Sequence, residues 1–307
     1  MQLTSNTHII RSPLNYTGGK YKLLPQIIPL FPDKISTFVD LFCGGCNVAL
    51  NVEAKKIICN DIDSNLIGLL SFLKDNSYET LIVKIKMLIK EFNLSDSYEF
   101  GYSFYDCSSS NGLGSFNKIG FLKLRSAFNS LPKHNKDYYL YLYVLIVYTF
   151  NNQIRFNSEG KFNLPVGKRD FNIKMQEKLR DFFCVANDKD ILFSNCCFSN
   201  FSFKDLNEND FVYADPPYLI TCATYNEQSW NEEEEKKLLV CLDALSERGI
   251  HFALSNVLST DNKENLILNQ WLKQRGYNCH HLVFSYNNSN YHKKQIAKTD
   301  EVLITNY

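Results

Sequence analysis

Phe211-Val212-Tyr213-Ala214-Asp215-Pro216-Pro217-Tyr218 decides how this chain of 307 residues is read. Four apolar residues in a row suit a buried strand. Two consecutive prolines cannot continue a hydrogen-bonded ladder, so the strand must end with Asp215 at its carboxyl end. In open α/β sheets ligands bind outside that edge. A rigid turn that does no more than end the strand is the plainer alternative.

The residue types in the turn favour a functional reading. An exocyclic amine such as that of adenine is a poor nucleophile, because its lone pair is delocalised into the ring. A carboxylate and a fixed carbonyl that accept both N–H bonds shift the nitrogen toward a tetrahedral, nucleophilic geometry. A neighbouring aromatic ring can stack on the base. Asp215, the carbonyl of Pro216, the stiffening Pro217 and the ring of Tyr218 supply that set, with no need for a cysteine nucleophile.

Working outward, six more short apolar runs end in polar or glycine-rich turns, at residues 37–42, 56–60, 191–196, 251–255, 280–286 and 301–306; with 210–214 these predict seven strands. Helical patterns lie between them, for example at 65–74 and 232–245. Glu232 to Glu235 fall in the first turn of the latter, capped by Asn231 or Ser229, where the helix dipole favours acids. The alternation predicts an α/β fold with a mixed, mostly parallel sheet covered by helices. The middle breaks the pattern with helix-like segments at 79–92, 117–130 and 138–150 and a Ser/Gly/Asn-rich loop at 108–115. The expected organisation is a catalytic domain from 1–74 and 188–307, interrupted by a mostly helical domain at 75–187.

Hydrophobic residues make up 45% of the chain and aromatics 14%, against 21% charged, which excludes wholesale disorder. No run of about eighteen apolar residues exists, and 138–150 is too short to span a bilayer. The first eleven residues lack a signal peptide's apolar segment, and the ten scattered cysteines read as reduced thiols, so a cytoplasmic protein without a membrane partner is expected. The 33 basic and 33 acidic side chains cancel, but unevenly. Residues 1–32 carry Arg11, Lys20 and Lys22 with no acid, and residues 151–180 carry seven bases against three acids. His292, Lys293, Lys294 and Lys298 add a basic tail. Such patches suit a phosphate backbone, although ordinary solvated loops would look the same.

Three further motifs bear on chemistry. Phe38-Val39-Asp40-Leu41-Phe42-Cys43-Gly44-Gly45-Cys46 is a strand running into a glycine turn, where backbone can approach a nucleotide closely. The dinucleotide fingerprint is not satisfied. A second strand ends in Asp61, seventeen residues after Gly44, placed either to bind ribose hydroxyls or to cap the next helix together with Asp63. Tyr16-Thr17-Gly18-Gly19-Lys20 is not a phosphate-binding loop, because the spacing of its glycines is wrong and Tyr21 stands where Ser or Thr belongs. Cys43-x-x-Cys46 and Cys196-Cys197 have no second pair at finger-like spacing, so no metal is expected.

Taken in order, these motifs resemble the Dam-type family of adenine-N6 DNA methyltransferases, of the α-group order. The resemblance runs from Pro13–Lys20 through Phe42-Cys43-Gly44-Gly45 and Asn60-Asp61-Ile62-Asp63. It continues in Phe128-Asn129, Asn151–Asn157 and Gly160–Gly167, and ends at Asp215–Tyr218 and Thr299–Leu303. It implies a Rossmann-like methyltransferase sheet with an inserted target-recognition domain. The implied activity is methyl transfer from S-adenosyl-L-methionine to N6 of adenine in double-stranded DNA, with base flipping. N4-cytosine methylation and a catalytically inactive DNA-binding relative are the alternatives. By resemblance Tyr16, Gly18, Gly19, Lys20, Asp40, Phe42, Gly44, Asp61 and Asp215 line the cofactor pocket. Asp215, Pro216, Pro217 and Tyr218 form the catalytic turn, and Phe150, Asn151, Arg155 and Lys168 contact DNA. Cys46 stands where the family's turn has its last glycine, and cysteine adopts positive φ less freely. Whether a cognate restriction endonuclease acts separately on the same site is left open.

Overall fold

The computed structural model of the chain describes residues 9–16, 18–221, 230–283 and 299–307. The basic residues His292, Lys293, Lys294 and Lys298, the alternative cap Ser229, Thr17 and the end of the strand expected at 280–286 lie outside them. In chain order the elements are α1 (Leu24–Ile27), β1 (Thr37–Asp40), β2 (Lys56–Asn60), α2 (Ser64–Lys74), α3 (Tyr78–Glu91), α4 (Ser97–Phe100), α5 (Gly114–Ser130) and α6 (Tyr138–Tyr148). Then come α7 (Ile173–Asp188), β3 (Ile191–Ser194), β4 (Phe211–Ala214), α8 (Glu232–Glu247), β5 (His251–Ser259), α9 (Leu266–Arg275), β6 (Asn278–Leu282) and β7 (Asp300–Thr305).

The chain divides into two compact units. One is Lys20–Ile62 with Lys189–Tyr307, and the other is Met1–Gly19 with Asp63–Asp188. The first contains a seven-stranded sheet in the order β3-β2-β1-β4-β5-β7-β6. β1 to β5 pair in parallel, and β7 runs antiparallel between β5 and β6. Every residue of β4 is buried, as a central parallel strand requires, whereas the edge strands β3 and β6 keep exposed positions. From β1 the chain builds outward to β2 and β3, then returns to the other side of β1 with β4 and β5. The order therefore reverses between β1 and β4, where Asp40 lies level with Tyr213. Such a switch point opens a crevice at the carboxyl ends of the two strands.

α8 and α9 pack on β5 and on each other around Val212, Leu238, Leu242, Phe252, Leu254 and Leu268. Asn231 caps α8 through the amides of Glu233 and Glu234. The first-turn explanation of the acidic run is incomplete, because Glu235 points inward and is fully buried. Its carboxylate accepts from the Trp230 indole at 2.8 Å and from the amides of Asn256 and Asn265, each at 3.0 Å. Burial still pushes its pKa above the ordinary range, against the lowering effect of those three donors.

The second unit is helical and centred on α6, which is buried almost all round and contacts α2, α3 and α5. At eleven residues it is too short to cross a bilayer, and no described helix is long and apolar enough to do so. α3 buries Leu81, Ile85, Leu88 and Ile89, one stripe at helical spacing. The expected domain boundary at 74/75 falls instead at 62/63, because α2 packs on α6 and α7 of the helical unit. The helix expected to reach residue 150 stops at Tyr148, because Thr149 takes extended backbone angles (φ −84°, ψ 163°); beyond it Asn151 and Asn152 are left-handed. Asparagine tolerates that region, and the Asn152 side chain donates to the carbonyls of Ile146 and Val147, closing the end of α6.

Glu235→Ala strands three buried donors at once and should cost about 3–5 kcal/mol of folding free energy. Urea unfolding of the full chain measures this, and a loss below about 1 kcal/mol would show that water or neighbours replace the carboxylate.

Candidate active site

The acidic turn follows β4 directly. The Leu41 amide donates to the Tyr213 carbonyl at 2.9 Å, which ties the exit of β1 to that of β4. Pro216 is buried, Pro217 is exposed, and Asp215 and Tyr218 are half-buried. The Tyr218 hydroxyl donates toward Asp215 Oδ1 at 3.0 Å and toward Glu301 Oε1 at 3.2 Å. Lys20 is 5% exposed, so its ammonium needs partners of opposite charge. It reaches Asp215 Oδ2 at 2.8 Å and Glu301 Oε1 at 3.7 Å, and lies 4.9 Å from the centre of the Tyr218 ring. Burial drives the Glu301 carboxyl up from its ordinary value while Lys20 pulls it back. Burial, with Asp215 and Glu301 next to it, pushes the Tyr218 phenol well up, so it stays a donor at neutral pH.

The glycine turn lies at the end of β1. The Cys43 amide bonds the Asn60 carbonyl at 2.8 Å, and the Cys46 amide returns to the Cys43 carbonyl at 2.7 Å. Gly44 has φ +46° and Cys46 has φ +62°, so the position that resembles a family glycine holds the left-handed conformation with cysteine in place. That conformation costs a non-glycine residue about 1–2 kcal/mol. The Leu50 amide, on the Cys46 carbonyl at 3.0 Å, helps to hold it. Asp61 Oδ2 accepts the Gly44 amide at 3.0 Å. Asp63 caps α2, accepting from the amides of Asn65 and Leu66. The sequence assigned no role to the Asn60 side chain. It donates to the carbonyls of Leu41 and Cys196, stapling the exits of β1 and β3. The Phe42 ring packs on Phe198 and Trp230.

Asp40 is 1% exposed, and its Oδ1 is buried with no hydrogen-bond partner among the described residues. Burial first, then Cys59, Asp215 and Asp61, drives its pKa well up. A buried acceptor without a donor, at the switch point beside a glycine turn and two more carboxylates, fits a ligand that carries positive charge and N–H groups. No cluster of three or more His, Cys, Asp or Glu suited to a metal occurs among the described residues.

The remaining expected residues belong to the helical unit. Tyr16 is half-buried and its carbonyl accepts the Gly19 amide, while Gly18 and Gly19 are exposed. Asn15 bonds Asn152 and accepts from Lys178. Residues 149–167 form a hairpin-like excursion with isolated bridges Thr149–Val166 and Phe156–Phe162. At its root a Cβ on Gly167 would lie 2.4 Å from the Thr149 carbonyl oxygen, so only glycine fits. Just before the left-handed pair, Phe150 stands 50% exposed. Asn151, Arg155 and Lys168 are exposed as well, and Arg155 Nε donates to Asn163 Oδ1 across the hairpin at 2.9 Å. Glu301 and Asn163 carried no assigned role in the sequence. Glu301 lies 83 residues from Tyr218, and no local pattern links them.

Three relatives bear on this geometry. The chain is 44% identical to the type II methyltransferase M.FokI of Planomicrobium okeanokoites over 97% of its length and 43% of that protein's. It is 39% identical to the modification methylase StsI of Streptococcus sanguinis over its whole length and 44% of that protein's. It is 28% identical to the DNA adenine methylase of Escherichia coli K12 over 80% of each chain. The chain therefore spans less than half the length of the first two. The sequence pattern of the D12 class N6 adenine-specific DNA methyltransferases matches residues 16–286, and this chain belongs to that family.

Proposed function

We propose that this chain transfers a methyl group from S-adenosyl-L-methionine to N6 of adenine in double-stranded DNA, taking the target base out of the stack to do so. The observation that carries the reading is the Asp215–Tyr218 turn at the carboxyl end of β4, at the switch point of the sheet, next to the Gly44 turn and Asp61. Phe42 and Gly44 would hold the adenosine part of the cofactor and Asp61 its ribose hydroxyls. The lone Asp40 oxygen would take a cationic donor, and Lys20 would complete the pocket. Bound cofactor supplies a methyl group already activated on a sulfonium. Asp215 and the Pro216 carbonyl accept the two N–H bonds of the base amine, which leaves the nitrogen lone pair free to attack. Pro217 stiffens the turn and Tyr218 stacks on the base. Positioning supplies much of the acceleration.

In the helical unit, which this reading takes as the target-recognition domain, Phe150 would wedge into the duplex, Asn151 and Arg155 would reach base edges, and Lys168 would hold phosphate. The relatives' names, modification methylase and type II methyltransferase, support a role beside a restriction endonuclease that acts separately on the same site. With cellular DNA as substrate, the reading places the protein in the cytoplasm. The test is incubation with duplex DNA and labelled S-adenosylmethionine, followed by nucleoside analysis. N6-methyladenine is the expected product; N4-methylcytosine would reassign the base, and no transfer would sink the reading.

Asp215→Ala should lower methyl transfer by about 100-fold or more while duplex binding survives in a gel-shift assay. Activity within about tenfold of wild type would remove Asp215 from the chemistry.

Asp40→Asn should weaken cofactor binding yet stabilise the free protein. Because the folded-state pKa of Asp40 is raised, the carboxyl weighs least on the fold below its unfolded value, and folding loses stability as pH rises through the raised one. Asparagine does not titrate, so the gain should be larger at pH 8 than at pH 4. Urea unfolding at both values checks the sign, and an equal effect at both would refute it.

Arg155→Ala should cost about 1–3 kcal/mol at the cognate site and relax discrimination at one base position. Binding to the site and its single-base variants at two salt concentrations decides the matter. Uniform weakening with a shallower salt dependence would mean that Arg155 grips only phosphate.

A further inference from the structure

Both oxygens of Asp215 are already engaged in the free protein. Oδ2 holds the Lys20 ammonium at 2.8 Å and Oδ1 accepts the Tyr218 hydroxyl at 3.0 Å. Each oxygen keeps a further lone pair, but a base amine that donates to Asp215 competes with the ammonium and the phenol for it, and either of those left buried with a weakened acceptor is costly. The structure holds an alternative acceptor within reach of both groups. Glu301 Oε1 is 3.2 Å from the Tyr218 hydroxyl and 3.7 Å from Lys20 Nζ. Glu301 is 4% exposed and sits in β7, with Val257 of β5 on one side and Leu282 of β6 on the other. Paired on both edges, its backbone is fixed, so its carboxylate waits at a set place while the turn after β4 adjusts.

We propose that Glu301 is a positioning residue for methyl transfer: it takes over the Tyr218 hydroxyl and the Lys20 ammonium as the base amine engages Asp215. This rests on the functional reading above. Tyr218 has one proton to give and two acceptors facing it. A small rotation moves that proton from Asp215 to Glu301 without leaving either group bare. Lys20 shifts the same way, so the charge balance of the buried cluster is kept while Asp215 becomes free to accept from the amine. A purely structural Glu301, present only to neutralise a buried lysine, would affect stability and leave the catalytic step alone.

The full chain is assayed with duplex DNA and S-adenosylmethionine, measuring kcat, KM for DNA and melting temperature for wild type, E301Q, E301L, Y218F and the E301L/Y218F double variant. Glutamine keeps an acceptor for the phenol but loses the charge that draws Lys20. E301Q should therefore lower kcat by about tenfold and E301L by about 100-fold, with KM for DNA held within about threefold. The E301L and Y218F losses should fall short of multiplying in the double variant, because both act through one hydrogen bond. If E301L does not fold, the near-isosteric E301Q decides. A kcat for E301Q within about twofold of wild type, a loss confined to KM, or losses that multiply would overturn the assignment. Wild type that transfers no methyl group sinks the functional reading instead, whereas active wild type with indifferent Glu301 variants sinks only the role of Glu301.

Discussion

Parallel pairing of β1 with β4 is the constraint on which the candidate site depends. It brings together two strand exits that are more than 170 residues apart in the chain, with Asp40 beside Tyr213. Because the strand order reverses there, the connections from β1 and β4 lead to opposite sides of the sheet, which opens a crevice at their carboxyl ends. The glycine turn, Asp61 and the acidic turn all open at that one edge. The Leu41 amide on the Tyr213 carbonyl and the Asn60 side chain on the Leu41 carbonyl hold the exits in register.

That edge carries an unusual load of charge for a folded interior. Asp40, Lys20 and Glu301 are each at most 5% exposed, with Asp215 among them. Carboxylates outnumber the ammonium, and burial raises the pKa of both Asp40 and Glu301. Such an arrangement costs folding free energy, since a buried pair seldom outperforms apolar packing of the same volume. Sites that hold a cationic ligand or activate an amine are where such a cost is met. The apolar packing of α8 and α9 on β5 and the Glu235 network supply the rigidity against which that edge can be held.

The helical unit uses a different device. Thr149 leaves α6 in an extended conformation, two asparagines in the left-handed region turn the chain, and Gly167 allows the returning chain to cross within contact of Thr149. The result is a short polar excursion that projects one exposed aromatic ring, Phe150, and one braced guanidinium, that of Arg155. A long side chain held by a partner loses less freedom on binding than an unbraced one.

Much of this was legible in the sequence, for local reasons. A run of apolar residues stopped by Pro216-Pro217 can be read without a partner, and so can seven short runs separated by helical periods, or a glycine turn after a strand. Boundaries failed where the signal was weakest: α2 joined the helical unit through its contacts with α6 and α7, and α6 ended early where Thr149 turns extended. Other features depend on pairing between distant segments, which local pattern does not specify, because any buried apolar strand can lie beside any other. Only the tertiary structure decided that β7 slots between β5 and β6 and so delivers Glu301 to Tyr218 and Lys20. It also decided that Asp61 binds the Gly44 amide while Asp63 caps α2, and that one oxygen of Asp40 is buried without a donor among the described residues. Periodicity and proline act through the neighbouring residues of one chain segment, whereas a buried charge is defined by everything packed around it.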